Sequence, residues 1–142
     1  MRPRGQVIKQ KIIKRADVRA HRDVFYVFGD NMARCGLGGQ AAEMRGEPNT
    51  IGIPTKWTPR QYFSDLDAKN VIVCDAIGSA FCRIEEALAA GHDVIWPEDG
   101  IGTGLADLER RAPKVWAMLE NCIDRLMAHN YIGGTVESKR LL

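Results

Sequence analysis

The sequence predicts an α/β domain built on a largely parallel or mixed sheet. Short apolar runs suited to buried strands alternate with segments of helical character along the chain. Three of those runs pass straight into loops of glycine, proline and charged residues. In open α/β sheets, ligands bind outside the carboxyl ends of the strands.

The elements follow in order. Residues 6–14 (QVIKQKIIK) pair β-branched residues and read as a first strand, with Lys and Arg pointing outward to solvent. Residues 23–28 (DVFYVF) form a short apolar and aromatic run ending at Gly29, a buried strand by length and composition. Residues 36–46 turn through glycines into a short helix that Gly46 ends. A third strand covers 49–54 (NTIGIP) and stops at Pro54. Val73, Ile77, Ala80, Ile84 and Leu88 recur at helical spacing with Phe81 beside them, which predicts a helix from Asn70 to Ala90, closed by Gly91. Residues 92–97 (HDVIWP) form the next strand and 100–104 a loop. Pro113 suits the first turn of a last helix, whose apolar face is Val115, Met118, Cys122 and Leu126. The tail, residues 134–142, carries little signal.

At 142 residues, with 45% hydrophobic and 27% charged residues, the chain is one domain with its own core. No apolar run approaches the roughly 20 residues of a membrane helix. The N-terminus MRPRGQVIKQ lacks the apolar stretch of a signal peptide, which predicts a cytoplasmic protein with no membrane partner. Net charge is +2, unevenly placed: residues 1–15 hold six basic residues and no acidic one, leaving 14 basic against 18 acidic residues elsewhere. A body of that sign makes a poor general nucleic-acid binder. The four cysteines and three histidines lack the spacing of a zinc or redox motif, so no metal or cofactor is expected. Cys74, Cys82 and Cys122 sit among apolar residues and are expected in the core, whereas Cys35 lies in a glycine-rich loop.

The chemistry concentrates in three loops. Glycine-rich loops leading into helices cradle anions, because missing side chains let backbone N–H groups reach phosphate oxygens. Two are present, at Gly36-Leu37-Gly38-Gly39 and Gly100-Ile101-Gly102-Thr103-Gly104. On one sheet edge they suit a diphosphate held between them. In that role Gly102 should be replaceable by Glu with loss of ligand but not of fold. Neither loop is a P-loop or a dinucleotide fingerprint. Asp30 and Asn31 follow the second strand, where they hydrogen-bond a sugar or shape the turn. Lys56 follows Pro54-Thr55 and serves as a phosphate contact or, with a lowered pKa, as a nucleophile. Trp57 either stacks on a base or covers the core edge. Arg60 and Tyr62 share that loop and are candidates to line the ligand. Glu98 and Asp99 act as general acid or base, or are solvated turn carboxylates.

These motifs resemble the macrodomain superfamily. The nearest likeness is to the subgroup of DNA ADP-ribosyl glycohydrolase antitoxins and terminal ADP-ribose protein glycohydrolases. The resemblance rests on FGDN (28–31), GLGGQAAEM (36–44), GIPTKW (52–57) and IWPEDGIGTGLADL (95–108), in order over residues 23–128. It implies a three-layer α/β/α sandwich with a central mixed sheet. It further implies binding of ADP-ribose, or of an ADP-ribosylated nucleic acid or protein. On this likeness Asn31 falls at the distal ribose; Asp30, Thr55 and Trp57, which lie within these motifs, are expected to bind the same ligand. Gly36, Gly38 and Gly39, with Gly100, Ile101, Gly102, Thr103 and Gly104, hold its phosphates. Lys56 falls at the subgroup's catalytic lysine, which attacks the anomeric carbon. Gly104 stands where some members carry a carboxylate. Three readings follow: a glycohydrolase, a non-catalytic reader or sequestering protein, and a nucleic-acid-associated protein that uses the basic N-terminal segment.

Overall fold

The computed structural model describes residues 3–135, so residues 136–142 of the expected tail lie outside the described residues. The chain is an α/β protein. Its elements run β1 (Val7–Gln10), α1 (Arg15–Ala20), β2 (Phe25–Asp30), α2 (Ala41–Met44), β3 (Thr50–Pro54), β4 (Lys56–Thr58), β5 (Gln61–Tyr62), α3 (Val71–Ala89), β6 (Val94–Pro97), α4 (Leu108–Arg111), α5 (Pro113–Asn130) and β7 (Tyr131–Thr135). A 3₁₀ turn over Asp65–Lys69 leads into α3.

The main sheet has the order β3-β2-β6-β1-β7. All four of its pairings are parallel, with Val27 opposite Ile51 and Val7 opposite Val94. The residues predict a largely parallel or mixed sheet and the macrodomain likeness a mixed one; the parallel alternative is the one found. Antiparallel pairing is confined to the separate β4–β5 hairpin. Parallel pairing sets the carboxyl ends of β2, β3 and β6 along one edge, which is the feature that positions the site.

Side chains alternate across each strand and divide the core. Val7, Val27, Ile51, Ile53, Val94 and Trp96 join the cluster formed with α3 and α5. Ile8, Tyr26, Phe28 and Ile95 join Val18 of α1 and Met44 of α2. Helix α3 begins at Asn70, whose side chain accepts from the N–H groups of Ile72 and Val73. All five residues of its predicted stripe are buried. It ends where Gly91 adopts φ +94° and donates to Leu88 O. Helix α5 starts at Pro113 as expected, but it is turned from its predicted face. Leu119 is buried beside Val115 and Leu126, while Met118 and Cys122 are only half-buried.

The N-terminal expectation changes most. The first strand stops at Gln10 instead of continuing to residue 14, and Ile12 is exposed. It is an internal strand between β6 and β7, with Val7 and Ile8 buried, so it is not a solvated edge. Lys14 N–H then donates to Asp17 and opens α1, a helix with only one buried apolar residue, Val18. Polar ties hold it in place. Glu47, nearly buried, accepts from Arg15 (2.8 Å), Arg19 (3.1 Å) and Arg22 (2.9 Å). Nδ2 of Asn49 donates to the carbonyls of Val18, His21 and Val24.

This cluster has a pH signature. Hydrogen bonds from Arg22 and Arg15 lower the Glu47 pKa from 4.5 to about 2. A carboxylate depressed by folding contributes stability above its unfolded pKa and loses it as pH falls through the folded value. The urea midpoint should therefore fall between pH 4.5 and pH 2, and the Glu47→Gln variant should lose the part of that slope due to this group. Equal slopes in both proteins over this window would remove the role of the cluster.

The cysteines are not core residues. Cys82 is exposed, and Cys74 and Cys122 are half-buried, because each lies at the margin of its helix stripe. Cys35 is exposed. Among the described residues, no helix is long and apolar enough to cross a membrane.

Candidate functional site

A cleft of about 320 Å³ opens at the carboxyl ends of β2, β3 and β6. That volume falls in the lower part of the range for ligand pockets. Residues 29–31, 35, 36, 38–41 and Arg45 form one wall, 99–106 the other, and Thr55, Lys56 and Pro59 join from the β3–β4 side.

The floor is polar and internally satisfied. Asp30 ends β2 with its side chain buried. Its Oδ1 accepts from Arg45 at 2.6 Å and from Asn31 N–H at 2.8 Å, and its Oδ2 accepts from Arg34 at 3.1 Å. Asn31 closes its own loop, donating from Nδ2 to Cys35 O at 2.8 Å and accepting from Cys35 N–H. Thr55 is buried and its hydroxyl donates to Asp30 O. These three residues line the cleft, and their side chains build its floor before any ligand arrives.

The glycine loops face each other across the cleft. Among the described residues, the N–H groups of residues 36–40 and 101–106 have no acceptor in the protein. Ile101, Gly102 and Ala106 are buried residues of the cleft wall. Thr103 stands apart from its neighbours, with its hydroxyl donating to Asp99 O at 2.7 Å. The loops come close at Leu105, whose exposed side chain reaches within 3.6 Å of the point where a Gly38 Cβ would sit.

The glycines are not equivalent. Gly102 has φ +80°, and a Cβ there would lie 2.7 Å from Leu108 and 3.3 Å from Leu119. It is a core-packing glycine as well as a loop glycine, so the expected fold-neutral Gly102→Glu change is corrected. The carboxylate would be driven into two buried leucines. Gly104 has nothing within 4 Å of its Cβ position.

Lys56 lines the cleft, half-buried. Its Nζ donates to Pro59 O at 3.1 Å and stands 5.4 Å from the Tyr62 ring centre. Arg111 covers the same ring at 3.7 Å, which docks the hairpin onto α4. Asp99 lines the opposite wall and pairs with Lys11 at 2.8 Å, and this carboxylate holds the lysine above its ordinary pKa. Both carboxylates of the cleft are thus ion-paired.

Four expected residues, Trp57, Glu98, Arg60 and Tyr62, lie outside the lining. Trp57 donates from Nε1 to Asp67 and packs edge-on against Phe63 at 5.5 Å, so it covers the core edge. Glu98 is exposed, with only its backbone N–H tied to Gln10 O. Arg60 is exposed beyond the cleft, its N–H on Thr58 Oγ1. Sequence reasoning missed Arg45, Pro59 and Leu105. Arg45 follows α2 and carries no local signal beyond its charge. Among the described residues, no three His, Cys, Asp or Glu side chains gather as metal ligands.

A family model described as a family of unknown function (DUF7831) matches residues 8–122. No curated protein and no solved structure matches the chain.

Proposed function

We propose that this chain, which belongs to the family of unknown function DUF7831, binds ADP-ribose or the ADP-ribosyl group of a modified nucleic acid or protein. The fold in this reading is a macrodomain-like three-layer α/β/α sandwich. One observation carries the proposal: acceptor-free backbone N–H groups of two runs meet at one cleft, which Gly36, Gly38, Gly39 and Gln40 line on one side and residues 101–106 on the other, with Leu37 exposed beside them. Two opposed donor arrays suit the two phosphates of a diphosphate better than a single anion. The sequence order of strand ends and glycine loops supports ADP-ribose as the nucleotide.

Binding without turnover is the favoured form. Cleavage of a glycosidic linkage gains from a group that protonates the leaving atom. Asp30 and Asp99 are each engaged by cations, and Glu98 lies outside the lining. Lys56 acts as a donor to Pro59 O, and toward a phosphate it would play the same part.

Calorimetry and thermal melting with ADP-ribose test the proposal, with AMP and NAD as controls. A ligand bound only by the folded state, at a hundred times its Kd, adds about 2.7 kcal/mol of stability. ADP-ribose should raise the melting temperature by several degrees and exceed AMP. No shift at millimolar ADP-ribose, with circular dichroism showing a folded protein, would overturn it.

A further inference from the structure

We infer that Arg45 is the positioning residue of the first anion loop, gripping the carbonyls of Cys35 and Gly36 so that the amides beyond them face a phosphate. The inference rests on the proposed anion site and names what holds it in shape. Arg45 Nε donates to Gly36 O at 2.7 Å. Its Nη2 donates to Cys35 O at 3.1 Å and to Asp30 Oδ1 at 2.6 Å. Its Nη1 donates to Asp30 Oδ2 at 3.4 Å. Four of the five guanidinium N–H donors are therefore committed within the protein.

The consequence follows from peptide geometry. Across a trans peptide the N–H points opposite to the C=O. One guanidinium holds two successive carbonyls, those of Cys35 and Gly36. The N–H groups of Gly36 and Leu37, on the same two peptides, are thereby turned to the other side. Two successive carbonyls share a side here because Gly36 takes φ +88°. Successive N–H groups turned to one side in this way form an anion-binding nest. Neither N–H has an acceptor among the described residues.

The grip is itself anchored. Asp30, its side chain buried at the end of β2, fixes the guanidinium, and Phe28 lies beneath it at 5.8 Å. A rigid strand thus transmits its position to the loop, where the Cys35 carbonyl also accepts from Asn31 Nδ2 at 2.8 Å and the Gly36 carbonyl is held by Arg45. Arg45 is 20% exposed and lines the cleft, so direct contact with the ligand is the competing role. The two roles differ in what lysine can replace. A lysine supplies a point charge but not a planar fork that spans two carbonyls and a carboxylate.

The test uses the full chain, inorganic pyrophosphate and backbone amide NMR shifts. In the wild type, amides of residues 36–40 and 101–106 should both move on titration. In Arg45→Lys the movement at 36–40 should be lost, that at 101–106 retained, and the Kd raised at least tenfold. Wild-type shifts at both loops in Arg45→Lys would overturn the positioning role. Loss at both loops would overturn it too, since it would show a general effect of Arg45 on the cleft. If the wild type shows no movement at either loop, the anion site itself fails. Should Arg45→Lys not fold, Asp30→Asn loosens the same anchor and must give the same selective loss; a wild-type response there would overturn the inference.

Discussion

Gly104→Glu is expected to weaken ADP-ribose binding at least a hundredfold, about 2.8 kcal/mol, while the melting temperature stays within about 2 °C of wild type. Gly104 lies at the cleft in the second donor array, with an unpaired N–H. Its φ is not positive and its Cβ position is open. A Cβ there has no protein atom within 4 Å, so the side chain has open space at its root and the fold should tolerate it. The ligand does not, because the new carboxylate stands where phosphate oxygens approach and repels them. Gly38→Glu on the facing loop should behave alike, since its Cβ would meet only the Leu105 methyl at 3.6 Å. Gly102→Glu is the contrasting control and should lose the fold together with the ligand. Calorimetry and melting on the three variants separate these outcomes. If Gly104→Glu binds within threefold of wild type, the second loop does not hold phosphate.

Much of the architecture was legible where a local pattern coincides with a tertiary demand. Helix α3 is long, its apolar stripe repeats five times, Asn70 caps it and Gly91 ends it, so each signal reinforces the others. The carboxyl ends of β3 and β6 were legible because Pro54 and Pro97 mark them, whereas β2 runs through Gly29 to end at Asp30. The missed elements α1, α4, β4, β5 and β7 are short. Their stability comes from distant partners, such as Glu47 for α1 and Tyr62 for α4, and propensity over two to six residues carries little information. Strand order depends on crossovers, which no local window contains, and so the order β3-β2-β6-β1-β7 was not foreseeable. The cleft divides in the same way. Glycine runs announce themselves, but the Asp30–Arg45 couple joins residues fifteen apart across a loop and leaves no periodic trace. Trp57 shows the opposite error. An aromatic beside a promising lysine invites a stacking role, yet its N–H is already taken by Asp67.

Lys56 decides between a binding protein and an enzyme. As a phosphate or ribose contact, it contributes one charged donor at the cleft wall. Lys56→Ala should then weaken ADP-ribose about tenfold, about 1.4 kcal/mol. Lys56→Arg should stay within about threefold of wild type, because guanidinium keeps the charge and the donors. Neither the wild type nor either variant should release free ADP-ribose from ADP-ribosylated DNA or from a glutamate-linked peptide. A covalent role at the anomeric carbon makes the opposite forecast. The attacking amine must be neutral, with its lone pair forming the bond to carbon as the leaving group departs. A guanidinium stays protonated and cannot take that part. Wild-type release of ADP-ribose, abolished equally by Ala and Arg while binding survives in Lys56→Arg, would therefore make Lys56 the nucleophile and replace the binding reading. Release that survives in Lys56→Arg would make the protein an enzyme without a covalent lysine. The half-buried setting of Lys56 and its hydrogen bond to Pro59 O favour the contact role. To attack, Nζ would first have to leave that carbonyl, whereas a phosphate oxygen can be met by another of its three N–H donors with the bond to Pro59 intact.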